Sequence, residues 1–377
     1  VNLSNPINST IADAQGEGRI SDDADKPNLS VSTTEVVEGG YAVFNIQLSN
    51  PSTQDVTFDL IAKEGTATEG EDYLPEVEVS YDGGVTWTPV SEATIPAGKT
   101  QILARVQTTQ DDIDEAVEQF ILTADITSGN TTNVSSTGTA SILDNDGEPQ
   151  IVITDSSVNE EDGLLTFVVS LSNPSSNVVT VNYVTANGTA IAGSDYVSST
   201  GTITFAPGET SKIITVAVLD DNVFENPESM YVNLSNPINS TIADAQGEGR
   251  ILDNSDKPNL SVSSTEVVEG GYAVFNIQLS NPSVEDVRFE LTAKAGTATQ
   301  DEDYLPKVEV SYDGGVTWIQ ASEAIIPAGK TQILARVETV EDNIDEVLEQ
   351  FTLIADITSN NTTNVSSTGT ASILDND

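Results

Sequence analysis

The sequence predicts an all-β fold of tandem antiparallel β-sandwiches with an immunoglobulin-like outline. Apolar residues recur at every second position along residues 41–48 and 102–106, as they do in half-buried strands. Asn-Pro, Asn-Gly, Pro-Gly and Gly-Gly pairs separate strand-sized runs, and almost no helical stripe interrupts them. Strand runs and turns of this kind, in domains of about 100–120 residues, favour sandwiches.

Internal repeats divide the chain. Residues 1–20 are identical, letter for letter, to residues 232–251. Residues 28–146 match 259–377 with scattered substitutions, and residues 151–253 are a shorter relative of the same pattern. We therefore expect a C-terminal domain fragment with its linker (1–26), a long domain (27–146), a short domain (147–256) and a second long domain (257–377).

The long domains contain an insertion at residues 76–87, where the short domain has only residues 197–203. An Asp-Gly-Gly turn between two alternating runs predicts a hairpin. Trp87 and Trp318 are the two tryptophans of the chain and lie at the ends of these insertions. Two interpretations stay open for them: a ring that covers the sandwich, or an exposed ring that binds sugar.

Residues 1–20 correspond to the last two strands of a short domain, so the chain begins in mid-pattern, as an excised fragment would. Their apolar face and unpaired edges favour strand addition. We expect a neighbouring molecule or an upstream segment to complete them. The sequence shows no signal peptide and no apolar run long enough to span a bilayer.

The charge balance limits the possible functions. Lys and Arg number 13 against 60 Asp and Glu, a net charge of −47, which excludes nucleic acid and acidic membranes as general partners. The chain has no Cys and no His, which removes disulfides, Cys/His zinc sites and catalysis by imidazole or thiolate. We expect that the chain is not an enzyme, and the alternative is a glycosidase that uses a pair of carboxylates. Bound cations or a solvated acidic surface would account for the charge.

One acidic frame occurs three times: an Asp, a Glu four residues later and a Glu seven residues later. Its members are Asp111, Glu115 and Glu118; Asp221, Glu225 and Glu228; and Asp342, Glu346 and Glu349. Each domain also carries Val-x-Glu, Asp-Tyr and Ile-Leu-Asp-Asn in the same order. Loops of a sandwich cluster at its ends, and calcium takes six to eight oxygen ligands. Because crowded carboxylates repel without a cation, the frame predicts calcium; a solvated acidic loop is the alternative.

The order of Val-x-Glu, Gly-Thr-Ala with Asp-Tyr, Pro-Gly-Glu-Thr, Asp-Asp-x-x-x-Glu-x-x-Glu and Ile-Leu-Asp-Asn resembles the Calx-beta domain, a calcium-binding sandwich, over nearly the whole chain. The resemblance implies the following ligands in the short domain: Glu160, Asp195, Asp220, Asp221, Glu225, Glu228 and Asp253. In the long domains it implies Glu38, Asp72, Asp111, Glu115, Glu118, Asp144 and Asp146, and Glu269, Asp303, Asp342, Glu346, Glu349, Asp375 and Asp377. The linker aspartates Asp22, Asp25 and Asp256 are further candidates.

The long domains depart from the short one at one position. Gln110 and Glu341 stand where the short domain has Asp220. One candidate ligand is therefore neutral in the first copy and longer in the second. This leaves the number of ions per domain open.

Near-identical repeats joined by short acidic linkers suggest an elongated, calcium-stiffened rod. They resemble the extender region of a large secreted bacterial surface adhesin, with roles in cell adhesion and biofilm formation. Regulatory calcium sensors, as in sodium/calcium exchangers, are one alternative. Carbohydrate-binding repeats that use the tryptophan hairpins are another.

Overall fold

A computed structural model describes residues 1–20, 25–253 and 256–376. Its strands form six sheets, which make three sandwiches of two sheets each. The chain divides into two compact units: the first comprises Val1–Gln150, Ser172–Val179 and Phe205–Thr210, and the second comprises Ile151–Leu171, Thr180–Thr204 and Ser211–Asp377. Within the described ranges no helix is long and apolar enough to cross a bilayer.

The first sandwich contains ten strands: β1 (Leu29–Val31), β2 (Thr34–Val37), β3 (Tyr41–Leu48), β4 (Val56–Glu64), β5 (Tyr73–Ser80), β6 (Thr88–Pro89), β7 (Glu92–Ile95), β8 (Gln101–Thr108), β9 (Glu118–Ile126) and β10 (Ser135–Leu143). Its sheets have the orders β1-β3-β8-β5-β6 and β2-β10-β9-β4-β7. The β3/β8 and β9/β10 pairs are antiparallel, whereas β2 runs parallel to β10.

The middle sandwich contains β11 (Gln150–Ile153), β12 (Ser156–Asn159), a 3-10 turn (Glu160–Asp162), β13 (Leu164–Leu171), β14 (Val179–Asn187), β15 (Thr200–Phe205), β16 (Ser211–Ala217), β17 (Glu228–Ile238), β18 (Thr241–Ile242) and β19 (Gln246–Leu252). Its sheets have the orders β16-β13-β11-β18 and β12-β19-β17-β14-β15. It lacks the hairpin insertion of the other two.

The third sandwich repeats the first with β20 (Leu260–Val262), β21 (Thr265–Val268), β22 (Tyr272–Leu279), β23 (Val287–Ala295), β24 (Tyr304–Ser311), β25 (Ile319–Gln320), β26 (Glu323–Ile326), β27 (Gln332–Thr339), β28 (Glu349–Ile357) and β29 (Ser366–Leu374). Its sheets have the orders β20-β22-β27-β24-β25 and β21-β29-β28-β23-β26. The predicted tandem sandwich fold is therefore confirmed.

The core lies between the two sheets of each sandwich and follows the predicted alternation. Every second residue of β3 is buried, including Phe44. Phe120 of β9 packs edge-on against Phe44 and stacks on Tyr73, with ring centroids 6.0 Å and 4.6 Å away. Tyr73 belongs to the Asp-Tyr landmark, so its buried ring anchors the adjacent Asp72 at the end of the sandwich.

The predicted hairpin joins β5 to β6 in the first sandwich. Asp82 accepts hydrogen bonds from Ser80 and from the backbone N–H groups at the turn. Trp87 donates its indole N–H to the carbonyl of Gly84, and Arg105 lies 4.4 Å from the Trp87 ring. The protein itself therefore occupies one face and the polar edge of this tryptophan, and both interpretations of the ring stay predictions.

Residues 1–20 form a short hairpin in which Asn2 pairs with Gln15. Leu3 and Ile7 are 60% and 86% exposed. The identical residues 232–251 lie in β17, β18 and β19, where neighbouring strands flank them. Strand complementation of residues 1–20 stays a prediction.

Candidate metal centre

Each sandwich fixes one aspartate just before its buried landmark tyrosine. Asp72 accepts the backbone N–H of Thr68 at 2.6 Å through one carboxylate oxygen, Oδ2. Asp195 and Asp303 make the same contact four residues upstream, also at 2.6 Å. The turn therefore sets the direction of the aspartate side chain in all three copies.

One glutamate in each sandwich is the first residue of a central strand. Glu118 begins β9, Glu228 begins β17 and Glu349 begins β28. The sheet register fixes their backbones, because they pair with Ile142, Ile251 and Ile373 on the adjacent strands. The second glutamate of the frame lies three residues earlier, in the loop that enters the strand.

These elements bring three carboxylates together in each sandwich, with one oxygen from each residue within 4.8 Å of the others. The groups are Asp72, Glu115 and Glu118; Asp195, Glu225 and Glu228; and Asp303, Glu346 and Glu349. Their glutamates were predicted from one frame, and their aspartates come from a distant loop. The three groups are called the Asp-Glu-Glu groups below.

The last glutamate of each group has an oxygen without a hydrogen-bond donor. Oε2 of Glu118, Glu228 and Glu349 is buried and accepts no hydrogen bond within the described part of the chain. A buried carboxylate oxygen without a donor loses its hydration and receives nothing in return. A cation would supply the missing interaction.

The pKa values of these glutamates point the same way. Burial, and next the adjacent aspartate of the group, raise the pKa of Glu118, Glu228 and Glu349 to about 7. Two carboxylates at this separation disfavour each other's charge unless a cation or a shared proton intervenes. The atoms available as metal ligands are all carboxylate oxygens, which hard cations such as calcium prefer. The residues present therefore fit a calcium ion.

The first sandwich holds a second acidic group. Oxygens of Glu38, Asp111 and Asp146 also lie within 4.8 Å of one another, and Oδ2 of Asp146 is buried without a hydrogen bond from the described residues. Burial, and next Asp146, raise the pKa of Glu38 to about 7. A cavity of about 10 Å³ touches both acidic groups of this sandwich, roughly the room that one water-sized sphere needs.

The middle sandwich differs at the corresponding place. Glu160 is buried, and its Oε1 accepts the backbone N–H of Asp221 at 3.2 Å. Burial raises the pKa of Glu160 to about 7, while this hydrogen bond opposes the rise. A backbone N–H thus serves one oxygen of Glu160, whereas a side-chain amide serves one oxygen of Glu38 in the first sandwich.

The residue at the position of Gln110 makes different hydrogen bonds in the first and third sandwiches. Gln110 donates from Nε2 to Oε1 of Glu38 at 2.8 Å and accepts from Asn145 at 2.9 Å. Glu341 accepts a hydrogen bond from Asn376 at 3.1 Å. The neutral residue of the first sandwich is thus a donor to the buried glutamate. The sequence predicted only a neutral ligand at Gln110, and no spacing pattern indicates its role as a donor to Glu38.

The structure places most of the remaining predicted residues beside the groups. Burial raises the pKa of Glu115, Glu225 and Glu346, and repulsion by nearby aspartates adds to it: Asp144 acts on Glu115, Asp253 on Glu225, and Asp342 and Asp375 on Glu346. Asp220 adds to the effect of burial on Glu160 in the same way. Glu269 is buried at the position of Glu38.

The linker aspartates behave differently. Asp25 and Asp256 are not members of any carboxylate group found among the described residues. Their backbone carbonyls instead accept hydrogen bonds from Asn50 and Asn281. Asp22 and Asp377 lie outside the described residues, so their predicted roles stay predictions.

Comparison with known proteins gives one domain match for each of the three sandwiches. The Calx-beta domain pattern matches residues 21–148, 144–254 and 253–377. Sodium/calcium exchanger 1 of Canis lupus familiaris is 48% identical over 71 residues, which are 19% of this chain and 7% of the exchanger. Sodium/calcium exchanger 2 of Homo sapiens is 46% identical over 67 residues, or 18% and 7%. The match therefore spans a small part of these relatives.

Two solved structures are also similar. The apo-form Calx CBD1 domain is 29% identical, and the alignment covers 29% of this chain and 99% of that domain, with a TM-score of 0.28. A tetra-tandem repeat in the extending region of a large adhesion protein is 11% identical, with 92% and 74% covered and a TM-score of 0.30. Because the three domain matches together span residues 21–377, the chain belongs to the Calx-beta domain family.

Proposed function

We propose that this chain is a set of calcium-binding, non-enzymatic extender repeats from a large secreted adhesin on a bacterial cell surface, with roles in cell adhesion and biofilm formation. The observation that carries the calcium part is the Asp-Glu-Glu group of each sandwich. Its strand-starting glutamate has a buried oxygen that accepts no hydrogen bond from the described residues. Calcium bound there would neutralise the group and replace the missing donor.

The chain's own residues supply the rest of the proposed mechanism. The turn before Tyr73 orients Asp72, and the start of β9 orients Glu118, so the fold itself holds the two carboxylates close together. Without a cation these groups repel each other and must either take up protons or move apart. We therefore propose that calcium makes the ends of the sandwiches rigid.

The extender part of the proposal rests on the repeats. Sandwich boundaries at 27–146, 147–256 and 257–377 leave linkers of only a few residues before Pro27, Pro149 and Pro258. Short, proline-limited linkers restrict rotation between neighbouring domains. Stiff joints would make an array of such domains a rod outside the cell, where millimolar calcium binds modules of moderate affinity.

Calcium titration calorimetry, thermal unfolding and small-angle scattering, each with calcium and then with a chelator, test this function on the whole chain. We expect bound calcium, a higher melting temperature and a longer particle in calcium. A chain that binds no calcium, or whose stability and length do not respond to it, would refute the proposal and leave a solvated acidic surface.

Calcium sensing is the second candidate, because the exchanger match lies in the same domain family. Affinity separates the two. Intracellular sensors work with dissociation constants of about 10⁻⁷–10⁻⁵ M, and extracellular modules with about 10⁻⁴–10⁻³ M. A measured constant in the lower range would favour sensing over the extender function.

A further inference from the structure

The acidic loop of the first sandwich pairs with the Asn-Pro-Ser turn that follows β13. The backbone N–H of Asp114 donates to the carbonyl of Pro174 at 3.0 Å, and the N–H of Ser176 donates to the carbonyl of Asp114 at 3.0 Å. Asp114 and Ser175 thus form a parallel β-bridge. Both partners of this contact belong to the first unit.

Side chains reinforce the bridge. The hydroxyl of Ser175 donates to Oδ2 of Asp114 at 2.9 Å, and Ser175 is only 2% exposed. Asp114 lies between Asp111 and Glu115 in sequence, yet it belongs to neither acidic group of its sandwich. Its carboxylate is directed to a hydroxyl group instead.

The same pairing recurs within the second unit. Phe224 occupies the position of Asp114, donates its N–H to the carbonyl of Pro282 at 3.0 Å and accepts the N–H of Val284 at 3.0 Å. Ser283 is 1% exposed, and the Lys257 ammonium lies 5.6 Å from the Phe224 ring. Because the side chain differs and the two backbone bonds persist, the backbone pairing is the common feature.

The Asn-Pro-Ser turn also holds the linker. Asn173 donates from Nδ2 to the carbonyl of Gly147 at 2.9 Å. Asn281 makes the corresponding contact with the carbonyl of Asp256. One turn therefore fixes the linker that precedes its sandwich and the acidic loop that docks beside it.

We infer that the loop position of Asp114 and Phe224 is a docking residue through which calcium binding and domain docking stabilise each other. The inference rests on the proposed function. Asp114 is bonded directly to Glu115, so the bridge restrains the backbone of that candidate ligand. A bound ion that fixes the loop also favours the bridge, and the bridge favours ion binding. The coupling free energy is the same in both directions.

Two variants on the turn test the docking without touching an acidic group. Ser176→Pro removes the N–H that Asp114 accepts, and Ser175→Ala removes the hydroxyl bond more gently. Ser52→Ala is the matched control. Like Ser175, Ser52 accepts an N–H two residues later at 3.1 Å, and its carbonyl accepts a glycine N–H. No described residue makes the bridge contact with Ser52.

Spin-label distances measure the joint. The chain contains no cysteine, so cysteines introduced at the exposed positions Thr88 and Val184 carry the only labels. The distribution of the label distance is recorded for every variant in calcium and in chelator. We expect Ser176→Pro, and to a smaller extent Ser175→Ala, to broaden it, whereas Ser52→Ala keeps the wild-type width.

Calorimetry measures the coupling in a Glu228→Gln/Glu349→Gln background, in which only the first sandwich keeps its complete Asp-Glu-Glu group. We expect Ser176→Pro to weaken calcium binding roughly fivefold or more. If both turn variants kept the wild-type width of the label-distance distribution, the docking would be overturned. A broader distribution with an unchanged calcium dissociation constant would overturn the coupling. If the background chain and the wild type bound no calcium, the proposed function would fail and the coupling with it. The spin-label distances recorded in chelator would still show whether the turn and the acidic loop dock.

Discussion

Gln110 donates an amide hydrogen to the buried carboxylate of Glu38 across 2.8 Å, at a position where the third sandwich has Glu341. The first sandwich therefore supplies a hydrogen-bond donor to one oxygen of this buried carboxyl group. The third sandwich has an additional negative charge at the same place. We therefore expect these two sandwiches of nearly identical sequence to differ in how much their stability depends on a cation.

A reciprocal exchange tests this difference. Gln110→Glu removes a donor from Glu38 and adds a charge, so we expect the calcium-free first sandwich to lose about 1–3 kcal/mol of stability. Glu341→Gln should stabilise the calcium-free third sandwich. Urea unfolding in chelator measures both. Equal shifts of the same sign would show that this hydrogen bond does not distinguish the two sandwiches.

The pH dependence of the calcium-free protein follows from the raised pKa values. Glu118, Glu228 and Glu349 titrate near pH 7 in the folded chain and near their ordinary 4.5 when unfolded. Between these values the folded state binds more protons, so stability falls as the pH rises from about 5 to 7. Thermal unfolding in chelator at pH 5 and pH 8 should show the higher melting temperature at pH 5.

Calcium should change this profile. Because the same carboxylates bind protons and the ion, we expect calcium to stabilise the chain more at pH 8 than at pH 5. A calcium-free protein that is most stable at pH 8 would contradict the crowded-carboxylate description of these groups.

Neutralising one carboxylate should have opposite effects on stability and binding. Burial, and next Asp195, raise the pKa of Glu225. We expect Glu225→Gln to leave the middle sandwich folded, to stabilise it in chelator and to weaken calcium there about tenfold or more. Calorimetry and circular dichroism measure these effects, and Glu35→Gln on an exposed strand position is the control. Unchanged affinity in Glu225→Gln would remove Glu225 from the set of ligands.

Residues 1–20 and 232–251 provide an internal comparison, since their sequences are identical and their surroundings are not. Leu3 is 60% exposed, whereas the corresponding Leu234 is buried. We expect fast hydrogen exchange in 1–20 and protection in 232–251, measured on peptides that extend past Ile20 or Ile251, where the sequences diverge. Protection of 1–20 that rises with protein concentration would indicate strand addition from a second copy.

Local sequence determined the strands and the core. Alternation along β3 and β8 identified the buried faces, because neighbouring side chains in a strand point to opposite sides. The Asp-Gly-Gly turn identified the hairpin, and the repeated acidic frame identified Glu115 and Glu118 as members of one group. These features depend on residues close together in the chain, so a single sequence contains them.

Only the tertiary structure decided which distant groups meet and which bonds each polar group makes. It grouped Glu115 and Glu118 with Asp72 and placed Asp111 of the same frame with Glu38 and Asp146. It also directed Asp114 to Ser175 and made Gln110 a donor to Glu38. It left the linker residues Asp25 and Asp256 outside the carboxylate groups found among the described residues. The reason is physical: a polar side chain binds the donor or acceptor that the folded chain places within about 3 Å, and residue type alone does not specify that partner.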